Sequence, residues 1–182
     1  MSREMELLDN PESTAVELIE HYTQTWRLLW NYDEKQFTQL PATKSSDTPI
    51  NYGQIQNVIA NFRRDLVEKG EASSIFGQEQ DNSLNAILGN IEQTAFKEPL
   101  YQTCELKAAH LLYFIVKDHP FVDGNKRIGA LLFLLYLANE DYTHPLDPCA
   151  LTTLTLLLAQ SSPESKDLMI ELVVSLLRVT EH

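Results

Sequence analysis

The stretch from Lys126 to Glu140, KRIGALLFLLYLANE, is apolar almost all round, and that property narrows the fold more than any other. A helix with a polar stripe lies on a surface, whereas one without it needs neighbours on every side and belongs in the middle of a bundle. The neighbours are legible. CELKAAHLLYFIVK, from Cys104 to Lys117, joins good helix formers to a broad apolar face, and LTTLTLLLAQ, from Leu151 to Gln160, reads as another buried helix. Val16, Ile19, Tyr22, Trp26 and Leu29 recur at helical spacing after Asn10 and Pro11, a cap followed by a first-turn proline. Ile55, Val58, Ile59, Phe62 and Leu66 do the same up to Gly70, a natural stop. QLPATKSSDTPINYG is a loop by composition, and THPLDPCA is a turn with two prolines. SSPES opens the last helix, with Pro163 in its first turn and Glu164 at capping-box spacing from Ser161. SLNAIL reads as a short helix, after which GNIEQTAFKEPLY, poor in helix formers and broken by Pro99, predicts a small extended hairpin or flap. The expected fold is all-α, a helical bundle with one small β-hairpin. An N-terminal helical region over residues 1–75 precedes a core over 76–182.

Length and charge restrict what such a bundle binds. With 182 residues, 43% of them apolar, the chain has the size of one globular domain, with or without an appended helical subdomain. A formal net charge of −12 argues against a surface that neutralises nucleic-acid or lipid phosphates, so neither nucleic acid nor membrane is an expected partner. Any phosphate must be met by a local positive site. Cys104 and Cys149 stand far apart in no C-x-x-C arrangement and read as free thiols of a reducing compartment. The start, MSREMELLDN, has no apolar h-region, and no apolar run approaches the length of a bilayer span, so a cytoplasmic location is expected.

HPFVDGNKRIG, from His119 to Gly129, packs a histidine, a carboxylate, an amide, two cations and two glycines between two apolar helices. Pro120 forbids a straight continuation of the first helix, and Gly124 permits a tight turn with positive φ before the second begins near Asn125. The N-terminus of a helix entered this way is an anion site, because its first N–H groups lack intrahelical partners and the macrodipole is positive there. Lys126 and Arg127 oppose that dipole and cost stability unless an anion lies between them and the N–H groups. Asp123 suits a magnesium ion, which takes one or two carboxylates plus phosphate oxygens. His119 supplies an imidazole, the side chain that changes charge near neutral pH and accepts a proton from a hydroxyl nucleophile. Pro120 and Phe121 read as the anchor that fixes the loop to the core. Base, metal ligand and anion cradle within one turn fit phosphoryl or nucleotidyl transfer, in which positioning and charge neutralisation dominate.

HPFVDGNKR resembles the signature of the Fic/Doc (Fido) family, H-P-F-x-[DE]-G-N-[GK]-R, and matches it without a gap. The resemblance runs from about Ser83 to about Leu158. It implies a Fido-type helical bundle and transfer of a phosphate-containing group from a nucleoside triphosphate, ATP first among them, to a protein Ser, Thr or Tyr hydroxyl. By matched position it implies His119 as general base, Asp123 as Mg2+ ligand, and Gly124, Asn125, Lys126 and Arg127 as phosphate cradle. Residues Asn90, Ile91, Glu92 and Gln93, in the hairpin region up to Phe96, resemble the flap that clamps an extended target segment of a protein partner by strand addition. Two departures matter. Lys126 stands where nucleotidylating members usually have Gly, the variant of death-on-curing toxins, which resemble kinases. Ala130 occupies the place of a second arginine common in nucleotidylating relatives. Both favour phosphoryl transfer, with protein nucleotidylylation (AMPylation or UMPylation) and a non-catalytic nucleotide- or protein-binding module as alternatives. Many relatives carry an inhibitory helix with [ST]-x-x-x-E-[GN]; here Ser2 to Glu6, Ser13 to Glu17 and Thr94 to Glu98 are each followed by the wrong residue. With Ala130 unable to pair such a glutamate, a separate antitoxin-like inhibitor, or none, is the expectation.

Several residues have plainer readings. No third His or Cys stands at metal spacing from His119 and Asp123, so zinc is not expected. His110 reads as a core or boundary histidine, His21, His144 and His182 as surface residues, Tyr136 as core, and Lys117 as a cation at a helix C-terminus.

Overall fold

The computed structural model describes residues 11–37, 51–142 and 146–179. His144, His182, the Asn10 cap, most of the 39–53 loop and the Ser2–Glu6 segment lie outside the described residues. The chain divides into two compact units, residues 1–38 and 39–182. This boundary differs from the expected one after residue 75, because the helix from Tyr52 to Glu68 is grouped with the larger unit. Among the described residues no helix is long and apolar enough to cross a membrane.

In the smaller unit, α1 (Pro11–His21) and α2 (Thr23–Asp33) carry the apolar stripe predicted as one helix. The main-chain ladder continues across Tyr22, from Tyr22 N to Leu18 O at 2.9 Å and Trp26 N to Tyr22 O at 3.1 Å. The break has a local cause: the Thr23 hydroxyl donates to the carbonyls of Ile19 and Glu20, at 3.1 and 2.8 Å, competing with the helix's own bonds.

The larger unit holds α3 (Tyr52–Glu68), α4 (Ser83–Ile91), the hairpin β1 (Thr94–Ala95) and β2 (Glu98–Pro99), α5 (Cys104–Asp118), α6 (Asn125–Asn139), α7 (Pro148–Gln160) and α8 (Lys166–Val179). It is the all-α bundle with one small hairpin that the sequence predicts. The most enclosed helix is α5, which packs against α4, α6, α7 and α8. The all-round apolar α6 was the expected centre, yet Leu131, Leu134 and Leu135 remain half-buried on its outer side. Enclosure of α5 reaches even its charges. Glu105 is fully buried and faces Arg178 of α8 at 3.7 Å, while Lys107 is buried against Glu92 at 2.8 Å. A buried charge is tolerable only with such a partner.

Helix ends follow the sequence signals in most places. Asn51 caps α3 by accepting from Gln54 N at 3.0 Å, and Asp147 caps α7 by accepting from Cys149 N and Ala150 N, with Pro148 in the first turn. The capping box expected at Ser161 does not form. Ser161 closes α7 instead, its hydroxyl donating to Leu158 O, and a 3-10 turn (Pro163–Ser165) intervenes before α8.

The loop between α5 and α6 is braced by a segment without periodicity. Gly77 N donates to Asp123 O at 2.9 Å, Val122 N to Gln78 O at 2.9 Å and Gln80 N to Pro120 O at 2.8 Å, so residues 76–80 form a strap along residues 120–123. Phe76, fully buried, lies under Gly124 and packs edge-on against Phe62 of α3. Gly124 has φ +89, and a Cβ there would lie 2.3 Å from the Phe76 ring.

Two stability predictions follow from this packing. Gly124→Ala suffers both a positive φ and a collision, and should lower the unfolding free energy by about 3 kcal/mol in urea titration. His110 on α5 stacks on Tyr101 at 3.9 Å, and its Nδ1–H donates to Leu106 O at 2.8 Å. Burial first, then the nearby Lys166, lowers its pKa to about 4. The unfolded imidazole titrates near 6.5, so between these values the unfolded chain binds a proton that the folded chain refuses. The contribution is complete above pH 6.5 and lost as pH falls towards 4, amounting to about 3 kcal/mol. Urea titrations across that range should show the acid loss in the native sequence and a flatter profile in His110→Phe.

Candidate active site

His119 ends α5 in the left-handed conformation, φ 50 and ψ 57. That is costly for a residue with a side chain, and more so before proline, where extended backbone is preferred. The conformation is held from both sides. Pro120 is buried and bonded to the strap through its carbonyl, and Gln80 Nε2 donates to His119 O at 3.4 Å. The result is an exposed imidazole whose ring makes no hydrogen bond among the described residues.

Asn125 closes the turn. Its Oδ1 accepts from Phe121 N at 2.9 Å and its Nδ2 donates to Phe121 O at 2.7 Å, so the side chain is spent on the loop and only the main chain faces outward. Phe121, 2% exposed, sits in the core as the anchor the sequence predicts. No side chain caps α6, whose N-cap is Gly124. Its first turn therefore presents the uncapped N–H groups of a helix N-terminus, with partial positive charge.

Asp123 Oδ1 accepts from Gly124 N at 2.7 Å, and Oδ2 lies 3.9 Å from Arg127. Arg127 is held at the rim: Nη1 donates to Glu71 O at 2.9 Å, and the guanidinium lies 4.5 Å over the Phe76 ring. Such a cation–π contact to a buried ring fixes the group's position without neutralising it. Lys126 is exposed and, among the described residues, makes no ion pair. These groups surround one cavity of about 320 Å3, lined by His119 and every residue from Val122 to Arg127. The sequence-predicted base, carboxylate and cradle thus converge on a single volume.

The donor set around Asp123 fits magnesium better than a protein-caged metal. One half-exposed carboxylate, its Oδ2 only loosely paired with Arg127 at 3.9 Å, suits a hard cation that completes its shell with phosphate oxygens and water. Among the described residues no group of three or more His, Cys, Asp or Glu side chains is arranged to hold a metal.

Other predicted positions lie elsewhere. Asn90 and Ile91 belong to α4, with Ile91 fully buried, Glu92 is the C-cap and pairs with Lys107, and Gln93 O accepts from Leu100 N at 2.8 Å below the hairpin. The hairpin proper spans Thr94–Pro99 and turns through Phe96 and Lys97, both at positive φ. Thr94 and Glu98 lie on its strands, not on a helix. Lys117 bonds the Ala159 and Ser161 carbonyls at the end of α7, outside the cavity. His110 and Tyr136 are core or boundary residues, and His21 is exposed. Burial pushes the Cys104 thiol up to about 12, leaving it inert. What the sequence did not reveal is the strap. Glu71, Phe76, Gly77 and Gln80 hold Arg127, Gly124, Asp123 and His119 from a segment whose only local signal is the isolated Gly77.

No curated protein and no solved structure matches the chain. Residues 49–137 match the Fic/DOC family model, a span that contains α3, the strap, the hairpin, α5, the whole cavity loop and most of α6. Residues 49–137 are thus a Fic/DOC family domain, and members of that family are generally protein-modifying transferases.

Proposed function

We propose that this protein transfers the terminal phosphoryl group of a magnesium-bound nucleoside triphosphate, ATP foremost, to a Ser, Thr or Tyr hydroxyl of another protein. One observation carries the reading: an unbonded imidazole, an uncapped helix N-terminus, two cations and a half-exposed carboxylate face the same cavity. Polyphosphate oxygens fit against the main-chain N–H groups at the start of α6, with Lys126 and Arg127 neutralising charge from either side. Asp123 is the residue to hold Mg2+, which when bound neutralises phosphate oxygens and orients the transferred group. His119 accepts the hydroxyl proton as the new O–P bond forms and the bond between the terminal phosphorus and the departing nucleoside diphosphate breaks, and its left-handed backbone keeps the ring out of α5 and over the cavity. The target segment docks on the Thr94–Pro99 hairpin as an added strand.

Lys126 and Ala130 favour phosphoryl over nucleotidyl transfer, since a cation replaces Gly at one position and an arginine is missing at the other. The missing arginine also leaves no partner for an internal inhibitory glutamate, so control falls to a separate protein, if there is any control.

Incubation with a cell lysate and labelled nucleotide distinguishes the chemistries. Label retained from the γ position and not from the α position is the expected result; protein labelling from the α position rejects phosphoryl transfer. His119→Ala should lower single-turnover transfer by about 10²–10⁴-fold while nucleotide affinity by calorimetry stays within about twofold, as expected for loss of a general base. Unchanged transfer in that variant would assign the base elsewhere.

A further inference from the structure

Glu79, in the strap, is a half-buried carboxylate that the transferase reading leaves without a task. Its two oxygens go to different helices. Oε2 accepts from the Tyr52 hydroxyl at the start of α3 at 2.6 Å, and Oε1 accepts from Leu84 N in the first turn of α4 at 2.9 Å. The first bond is short, as hydrogen bonds to an ionised acceptor are. Tyr52 is itself steadied by Gln56, whose Nε2 donates to the hydroxyl at 2.6 Å, while Asn82 Oδ1, at 3.4 Å, is the poorer acceptor for the hydroxyl's proton. The second bond replaces a helix cap. Asn82, the N-cap of α4, makes no side-chain capping bond, so Glu79 supplies from upstream the acceptor and the negative charge that a helix N-terminus favours.

The backbone around Glu79 needs such anchors. The strap meets the site loop through isolated bridges, Phe76 with Asp123 in the parallel sense and Glu79 with Phe121 in the antiparallel sense, so no continuous ladder fixes it. It then leaves through Asp81 and Asn82, both left-handed at φ 48 and 55, a costly pair for residues with side chains. Between bridge and bend lies Gln80, whose N donates to Pro120 O at 2.8 Å and whose Nε2 donates to His119 O. An anchor on Glu79 therefore sets where Gln80, the next residue, can reach.

We propose that Glu79 is a positioning residue for His119: bonded to α3 and α4, it holds the strap where Gln80 grips the carbonyls of His119 and Pro120. This role rests on His119 acting as the base of the proposed transfer. Glu79 does not line the cavity, and Phe76 and Gly77 hold the cradle end separately, through Gly124 and Asp123. Loss of Glu79 thus falls on the transfer step and spares nucleotide affinity.

The test compares Glu79→Ala with Glu79→Gln, which keeps an oxygen for Leu84 N and an N–H for the Tyr52 hydroxyl to accept. Glu79→Ala should lower single-turnover transfer by about tenfold, the scale of a small misplacement of a reacting group, and leave nucleotide affinity by calorimetry within about twofold. Glu79→Gln should recover most of the rate. In a His119→Ala background the Glu79→Ala change should cost less than about twofold, because the group it positions is gone. Hydrogen exchange reads the bracing itself: the Gln80 and Val122 amides should exchange about tenfold faster in Glu79→Ala, while amides in the middle of α5 stay unchanged and show that the variant folds. Equal losses of rate and affinity, a loss that persists undiminished without His119, no recovery in Glu79→Gln, or unchanged exchange at Gln80 and Val122 each overturn the inference. A native chain that transfers no γ label sinks the transferase reading instead, and the two amides then decide alone whether Glu79 holds the loop.

Discussion

One aromatic ring organises the site. Phe76 fills the space beneath Gly124 so closely that no side chain fits there, and its outer face supports the Arg127 guanidinium. The turn into α6 cannot relax towards the core, and the cation that edges the cavity cannot swing away. On either side of this contact the strap's hydrogen bonds fix Asp123 and Pro120, and Asn125 clamps Phe121 from within the loop. The left-handed backbone of His119 depends on that bracing, since a residue before proline does not hold such a conformation unaided. Strain of this kind persists only where the surroundings over-determine it.

The charge distribution is equally uneven. A chain of net charge −12 concentrates two cations and an uncapped helix N-terminus around one cavity, and spends its buried charges on architecture. Lys107 and Glu92 tie α5 to the end of α4, directly before the hairpin, and Glu105 faces Arg178 across to α8. Buried pairs contribute little net stability, but removing one partner strands the other in a low dielectric. Through the first of these pairs, the base of the hairpin is tied to the helix that ends in His119.

Much of this was legible in the chain itself because its signals are local. Helical period and the stop at Gly70 depend on neighbours within one or two turns, and the helices formed where they were expected. HPFVDGNKR announces a turn, a carboxylate and an open helix start within a few residues, so the site's groups were recognisable before their arrangement was known. Less legible were features set by competition. The box at Ser161 lost to closure of α7 by the same serine, and Thr23 diverted two carbonyls that periodicity alone assigns to an unbroken helix. The hairpin settled three to four residues later than the first polar residues suggested, because Ile91 was drawn into the core and carried α4 with it.

The sequence by itself determined that the chain forms a helical bundle and that one loop brings together an imidazole, a carboxylate and two cations, because periodicity and motif spacing are properties of adjacent residues. Only the tertiary structure decided that α5 and not α6 is the enclosed helix, that Asn125 serves the loop, and that Gln80 of the strap, 39 residues upstream of His119, holds it by its carbonyl. Those outcomes turn on which apolar face finds the better-shaped neighbour and which polar atom finds the nearer partner. Both are settled by distances in space that no local pattern encodes.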